Sequence, residues 1–520
     1  MKTLVILLAA KESLEFEHAG DVFNDLFDKV GPDRVKALRT DSEDTLPDGL
    51  KKAAGAECEC SAVPVPSLIN DYTASGEQDP RTYWSYYLQM LIQELDIDAA
   101  EEELHFHISG GGFWLSTMVR GLQSILGGQL WITSRQGSSW TAHEVTTRGG
   151  GSDKESATMA ALAETWIAGE KGATAKRLQG VSNSIPDPKG VENSLRSAIE
   201  DRLVVIGGGG ASVTYSLTHK GALHGLMELA SISKEKIPRG APEGILLLVR
   251  ATWSKERLAG YLKEHGLAGR YSKVGLIAVE FFEDDGSLPG KSSEYKEAVL
   301  EFKSADDLVA IESVSGVLPS SKEDDLWRGG AELLKAVHSV VFNDSGKWIN
   351  WSMASTGIPA QLRHWVEEYA ARGSIGIFEV TRRKIAVGER GAVVPPGGLD
   401  AGYYLVDLPS TESLATMRAI RDDQRKYTRP ALATLFISET TDMGPVKRTP
   451  LKYSYCERNR EIFPSGHPLR EEKNESGANS RAFSQLAKVG AIHPDRGQFD
   501  LTPEGRVAAF VLSRRMGVVN

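Results

Sequence analysis

The stretch Leu104-His-Phe-His-Ile-Ser-Gly-Gly-Gly-Phe113 runs into Trp114-Leu-Ser-Thr-Met-Val-Arg120 and on to Gly128. It is answered later by Ile349-Asn-Trp-Ser-Met-Ala-Ser-Thr-Gly-Ile358, which runs into Pro359-Ala-Gln-Leu-Arg363 and on to Gly373. Each reads as an apolar strand, a turn of small residues, an amphipathic helix ending at glycine, and a further apolar strand (Leu130-Trp-Ile-Thr133 and Ile375-Gly-Ile-Phe378). The two align without a gap: 357 minus 112 is 245, and 373 minus 128 is 245.

Working outward, the duplication extends upstream. Trp84 and Trp327 each open an amphipathic segment, Thr3–Leu8 corresponds to Ile245–Val249, and Arg34–Leu38 corresponds to Lys273–Val279. Strands alternating with helices of this length imply parallel βαβ units. A second pairing follows each copy, because Leu217-Thr-His-Lys-Gly221 matches Leu501-Thr-Pro-Glu-Gly505. Each follows a segment with the pattern of a β-hairpin, and Thr218 or Thr502 is placed to cap a closing helix. Helical patterns at Lys154–Ile167, near Ala173–Gln179 and at Val191–Asp201 precede the first hairpin, the order of a winged helix-turn-helix. In the second copy Ser480–Lys488 reads as the third helix, while Pro464, Pro468 and the charged run Arg470–Glu475 blur the first two. The hairpins are 284 positions apart (501 minus 217), so 39 residues beyond the 245 offset were inserted in the second half.

The fold class expected is therefore α/β, with two Rossmann-like parallel-sheet domains, each followed by a winged-helix (α+β) domain. The boundaries are 1–150, 151–236, 237–400 and 401–520. Seams fall at Gly149–Asp153, Ile237–Glu243 and Val394–Gly402.

Composition bounds the function classes. With 520 residues, 41% hydrophobic and 25% charged, the chain has the make-up of a globular protein of several domains. A net charge of -10 argues against a surface that binds nucleic acid all over, though not against one basic face. Three cysteines, Cys58, Cys60 and Cys456, form no disulfide framework, which points to a reducing, cytoplasmic setting. The apolar opening, Met1–Ala10, reads as a buried first strand, and no run reaches the roughly 20 residues that span a bilayer.

A glycine-rich turn between a parallel strand and a helix aims backbone N–H groups into a crevice at the positive end of the helix dipole, a setting for phosphate. Gly110, Gly111 and Gly112 supply such a turn, and Ser355, Thr356 and Gly357 supply its counterpart. The turns after the first strands border the same crevices through Ala10, Lys11 and Ser13 and through Thr252 and Ser254. Lys11, Arg120, Lys255 and Arg363 are available as positive charge. For DNA, the third helices offer Lys189 and Arg196 in the first copy and Arg481 and Lys488 in the second. His105 and His107 alternate along a strand, but no other ligands accompany them, so no metal or other cofactor is expected.

These loops, with the first-strand turns and the trailing winged helices, resemble the CRISPR-associated Rossmann fold (CARF) family joined to winged helices. In that family two such domains pair about a two-fold axis, and their loops jointly hold a cyclic oligoadenylate. The resemblance implies that duty for Gly110, Gly111 and Gly112 and for Ser355, Thr356 and Gly357, within an intramolecular pseudo-dimer. The sequence departs from the family at Phe113-Trp114 and Ile358-Pro359, where a lysine would follow the loop. The family's helical ribonuclease motif has one near match, Arg460 with His467, but Pro464 and Gly466 interrupt the helix it requires. The expected function is a regulator responsive to a cyclic oligonucleotide that binds double-stranded DNA. The alternatives are a phosphodiesterase or nuclease acting with the same ligand, and a protein-docking scaffold.

Overall fold

The computed structural model describes residues 1–8, 18–39, 46–64, 83–97, 102–109, 113–136, 139–146, 153–181, 188–208, 213–238, 241–264, 266–280, 288–314, 323–342, 349–356, 358, 360–373, 375–377, 382–386, 403–407, 409, 411–423, 428–441, 443, 446–448, 451–466, 470, 476–493 and 497–516.

The apolar opening is a buried strand in mid-sheet. In chain order, β1 (Lys2–Leu7), α1 (Ala19–Val30), β2 (Arg34–Arg39), α2 (Asp48–Ala54), β3 (Glu59–Pro64), α3 (Tyr83–Leu95), β4 (Glu103–His107), α4 (Phe113–Leu126), β5 (Gln129–Gln136) and β6 (Ser139–Glu144) build one sheet and its flanking helices. The strand order is β3-β2-β1-β4-β5-β6, parallel from β3 to β5. The run Leu4-Val-Ile-Leu7 is buried throughout, as a strand covered on both faces requires. Helix α1 buries Val22, Phe23, Leu26, Phe27 and Val30, a helical stripe, and ends at Gly31 in the left-handed conformation that returns an N–H to the Phe27 carbonyl.

Next come α5 (Asp153–Ile167), β7 (Ala173–Thr174), α6 (Ala175–Val181), α7 (Pro188–Glu200), β8 (Val204–Gly207), β9 (Thr214–Leu217) and α8 (His219–Ser233), with a small antiparallel sheet in the order β7-β9-β8. The second parallel sheet follows, with β10 (Gly244–Arg250), α9 (Lys255–Glu264), α10 (Leu267–Arg270), β11 (Lys273–Val279), α11 (Leu288–Leu300), β12 (Leu308–Val314), α12 (Glu323–Val341), β13 (Trp351–Thr356), α13 (Ala360–Arg372) and β14 (Gly376–Ile377). Its order, β12-β11-β10-β13-β14, repeats that of the first sheet.

A two-stranded sheet, β15 (Arg382–Ala386) with β16 (Tyr403–Asp407), and α14 (Thr411–Asp422) lead to the last segment. That segment consists of α15 (Thr428–Thr440), β17 (Val446–Lys447), α16 (Leu451–Ile462), α17 (Ser476–Lys488), β18 (Ile492–His493), β19 (Gln498–Leu501) and α18 (Pro503–Arg515), with the sheet order β17-β19-β18. Element for element it repeats α5 to α8. The two helices that Pro464, Pro468 and the charged run blurred in the sequence are α15 and α16. Both Leu-Thr-x-x-Gly motifs cap as expected: Thr218 Oγ1 accepts from Gly221 N, and Thr502 Oγ1 accepts from Gly505 N, each at 3.0 Å.

The chain divides by contacts into two units that cross the sequence order. One holds 1–134, 138–146 and 380–520; the other holds 135–137 and 147–379. The first sheet therefore shares a unit with the last helical segment, and the second sheet shares one with the first helical segment. In one unit the closing helix α18 packs on α3 and α4; in the other its counterpart α8 packs on α12 and α13. No helix among the described residues is long and apolar enough to cross a membrane.

Candidate functional site

In each sheet the chain reverses its direction of winding between the first and fourth strands, so β1 and β4, and likewise β10 and β13, lie side by side and parallel. In doubly wound sheets the ligand crevice lies beyond the carboxyl ends of such a pair, because the connections on either side leave in opposite directions. Both small-residue loops follow the fourth strand at this point. Gly110, Gly111, Gly112 and Gly357 lie outside the described residues, as do Ala10, Lys11 and Ser13. Ser355 and Thr356 form the end of β13, in register with Leu248 and Val249 of β10.

The described residues that flank these turns are tied down by hydrogen bonds. In the first sheet Ser116 Oγ on α4 donates to the Ile108 carbonyl at 2.8 Å, joining the chain on either side of the glycine loop. Ser109 Oγ accepts from Thr133 N at 2.8 Å, tying the residue that follows Ile108 to β5. In the second sheet the turn after β10 is held from beneath by the buried Tyr295 of α11, whose hydroxyl lies 2.9 Å from the carbonyls of Ala251 and Trp253 and 3.2 Å from that of Arg250. The Arg257 guanidinium sits 4.4 Å from the Trp253 ring centroid. Thr252 is exposed between buried Ala251 and Trp253. Ser254 is occupied locally, its hydroxyl accepting from Arg257 N at 3.2 Å at the start of α9.

The cations are more committed than the sequence suggested. Arg120 is buried on α4, 8% exposed. Arg363 on α13 donates through Nε to Glu367 Oε1 at 2.6 Å. Lys255 is bridged to Glu297 and Glu301, both at 3.2 Å. On the third helices, Arg196 is exposed and donates to Asn193 Oδ1 at 2.9 Å, Arg481 and Lys488 are exposed, and Lys189 lies in the first turn of α7.

His105 and His107 are buried strand residues bonded to β5. Trp131 Nε1 donates to His105 Nδ1 at 3.2 Å, and His107 Nε2 lies 3.1 Å from Thr133 Oγ1. Burial lowers the His105 imidazole and pushes that of His107 down to about 3, so both are neutral near pH 7. No metal-binding cluster occurs among the described residues. Burial, with Cys60 beside it, pushes the Cys58 thiol up to about 12, the wrong direction for a nucleophile.

What sequence reading missed is the link from loop to closing helix. Helix α13, which follows the Gly357 loop, holds α8 through Arg372, whose Nη1 donates to Glu228 at 2.7 Å. Trp365 of α13 stacks on Trp327 of α12, centroids 4.9 Å apart, and Trp327 stacks in turn on His224 of α8 at 6.3 Å. Gly330 of α12 faces this cluster: a Cβ there would come within 2.4 Å of Trp365 and 2.8 Å of Leu223. In the other unit Arg514 of α18 donates to the Ile92 carbonyl of α3 at 3.3 Å, and the Arg506 guanidinium lies 5.0 Å from the Tyr86 ring centroid. Arg421 of α14 donates to the Gln123 carbonyl of α4 at 3.1 Å. These partners are far apart in sequence and follow no periodicity; only the paired tryptophans left a signal.

No protein-family model matches the chain, and no curated protein matches it. Among solved structures it is similar to a trehalose-6-phosphate protein of E. coli bound with UDP-2-fluoro glucose, at 8% identity and a TM-score of 0.17, over 72% of this chain and 94% of that one. An alpha,alpha-trehalose-phosphate synthase (UDP-forming) from Burkholderia xenovorans matches at 8% identity and 0.15, over 72% and 92%. Apo UGT2 of Phytolacca americana matches at 10% identity and 0.17, over 94% and 99%. Likeness at this level decides nothing about the chain's activity.

Proposed function

We propose that the chain is a ligand-responsive DNA-binding regulator, in which a cyclic oligonucleotide of the oligoadenylate type is held through its phosphates at the two small-residue loops. Residues 153–233 and 428–515 are, in this reading, winged helices, the kind of segment through which the chain binds double-stranded DNA. One chain then carries the two halves that a homodimer of single units would supply. The CARF resemblance of the loops names the ligand class.

One observation carries the proposal. Each loop leads directly into the helix, α4 or α13, on which the closing helix of a helical segment is packed. A ligand that draws the loop N–H groups toward a phosphate shifts the first turn of that helix, and the closing helix moves with it. The helix–strand–helix–helix–hairpin–helix order of both segments supports the winged-helix assignment.

Calorimetric titration of cyclic tetra- and hexa-adenylate into the full chain tests the site. Gly111→Asp, which sets a carboxylate where a phosphate approaches, is expected to weaken binding by at least about 1–3 kcal/mol, and Thr356→Asp to act likewise. Unchanged affinity in a folded variant rejects these loops as the phosphate site.

A further inference from the structure

The two helical segments share one architecture, and their backbone bonds fix which residues correspond. Leu203 N donates to the Ala198 carbonyl and Ala491 N to the Leu486 carbonyl, closing α7 and α17 in the same way. A Cβ on Gly221 would meet the Leu203 carbonyl, and one on Gly505 the Ala491 carbonyl. The residues just before these, Arg202 and Gly490, both take positive φ, 57° and 77°. The register along the third helix is thus 288 (491 minus 203).

In that register the exposed face has changed charge. Glu192 corresponds to Ser480, Asn193 to Arg481, Arg196 to Ser484 and Glu200 to Lys488, and all eight side chains are exposed. At these four positions two carboxylates and one guanidinium give -1 on α7, where Lys189 in the first turn brings the whole helix to 0; one guanidinium and one ammonium give +2 on α17. Ahead of the second helix both segments carry two exposed cations, Lys176 and Arg177 in the first and, two residues earlier in the sheet register, Lys447 and Arg448 in the second. Ala173 pairs with Tyr215 as Val446 pairs with Phe499, so Thr174 and Ala175 correspond to Lys447 and Arg448, the latter two both exposed ahead of α16. On the hairpin, the first segment presents Val205 and Ile206 at 54% and 43% exposure.

Resting on the DNA reading above, we infer that duplex DNA is engaged by the C-terminal segment alone, through Arg481 and Lys488 on α17 and Lys447 and Arg448 ahead of α16. Phosphate contacts supply most of the affinity of a DNA-binding module, and each cation that neutralises a phosphate releases a counterion. A face with carboxylates at two of four positions repels the backbone it would approach; its counterpart, with cations at two of four and no carboxylate, attracts it. A helix of this width suits the major groove of B-form DNA, whereas the major groove of duplex RNA is too narrow to admit it.

The test uses the full chain and two labelled 30-base-pair duplexes, one from the region upstream of its own coding sequence and one of random sequence, with binding followed by anisotropy across a salt series. Arg481→Ala with Lys488→Ala is expected to weaken binding at least tenfold at low salt and to reduce the salt slope by about 2. Lys189→Ala with Arg196→Ala is expected to leave both unchanged. Asn193→Arg with Glu200→Lys, which writes the second face onto the first, is expected to tighten binding. These substitutions alter helix-surface positions, and circular dichroism checks that each variant is folded. Equal losses from the two alanine pairs, or full binding by the Arg481/Lys488 pair variant, overturn the asymmetry while leaving DNA binding in place. Failure of the unmutated chain to bind either duplex at low salt overturns the DNA reading itself, and this inference with it.

Discussion

Arg372 at the end of α13 and Glu228 on α8 form an ion pair at 2.7 Å in which each side chain is largely enclosed, 13% and 14% exposed. The same guanidinium reaches Glu368 through Nε at 3.1 Å, so one cation is shared by two carboxylates on two helices. Two negative charges this close and this enclosed are tolerable only with the cation between them, which ties the helix that follows the Gly357 loop to the closing helix of the first helical segment.

Removing the cation is therefore costlier than removing the pair. Arg372→Met is expected to destabilise the unit holding the second sheet by about 3 kcal/mol, since it strands two carboxylates. Glu228→Leu in the same chain is expected to recover part of the loss. Urea denaturation followed by tryptophan fluorescence measures both; an unmoved midpoint in Arg372→Met counts against the pair as the tie.

The Leu-Thr-x-x-Gly motifs need their glycines for space. A Cβ on Gly221 would stand 1.8 Å from the Leu203 carbonyl, and one on Gly505 1.9 Å from that of Ala491. Neither glycine has positive φ. Alanine at either position has to push a helix off a strand, with an expected loss of at least about 2 kcal/mol. Loss of the cap in Thr218→Ala or Thr502→Ala is expected to cost only about 1 kcal/mol. If thermal unfolding ranks the alanine variants the other way, the close approach is not what the motif provides.

The same motif shows how much was legible. Local features reached the sequence intact: the buried β1 and β10, the repeated order of strand and helix, both threonine caps, and the helices of the first segment. The helices α15 and α16 lie earlier in the chain than the sequence suggests: Pro464, Pro468 and the charged run point to the segment after Ile462, whereas α15 ends at Thr440 and α16 at Ile462, before either proline. Helix α14 has no counterpart in the first copy among the described residues and accounts for part of the 39 inserted residues. The crossed partnership was invisible, because it rests on contacts such as Arg421 with the Gln123 carbonyl, across 298 positions. Pairing of that span leaves no pattern in either segment alone.

Two histidines, the buried His107 and the partly buried His338, make stability depend on pH. Burial holds His107 near 3 and, with Lys236 nearby, His338 near 4, whereas an unfolded histidine titrates near about 6.5. Below about pH 6.5 the unfolded chain takes up protons that the native chain does not, so stability falls as pH falls and levels off only below the folded values. The expected slope is about 1.4 kcal/mol per pH unit for each histidine. His338 Nδ1 lies 2.7 Å from the Tyr369 hydroxyl, and His338→Gln is expected to remove one of the two contributions in the unit that holds it. Denaturation midpoints between about pH 7 and 4.5 check this, and an unchanged pH profile in the variant contradicts it.

In this reading the loop sites are coupled to DNA binding through the helices that follow them, with α4 in direct contact with the closing helix of the C-terminal segment. Measuring affinity for the upstream duplex with and without saturating cyclic oligoadenylate, at one salt concentration, tests it most directly. Coupling of the usual size, about 1–3 kcal/mol, predicts a change of at least about fivefold in the unmutated chain and none in Gly111→Asp with Thr356→Asp. Identical DNA affinity with and without a ligand that calorimetry shows to be bound would contradict the account.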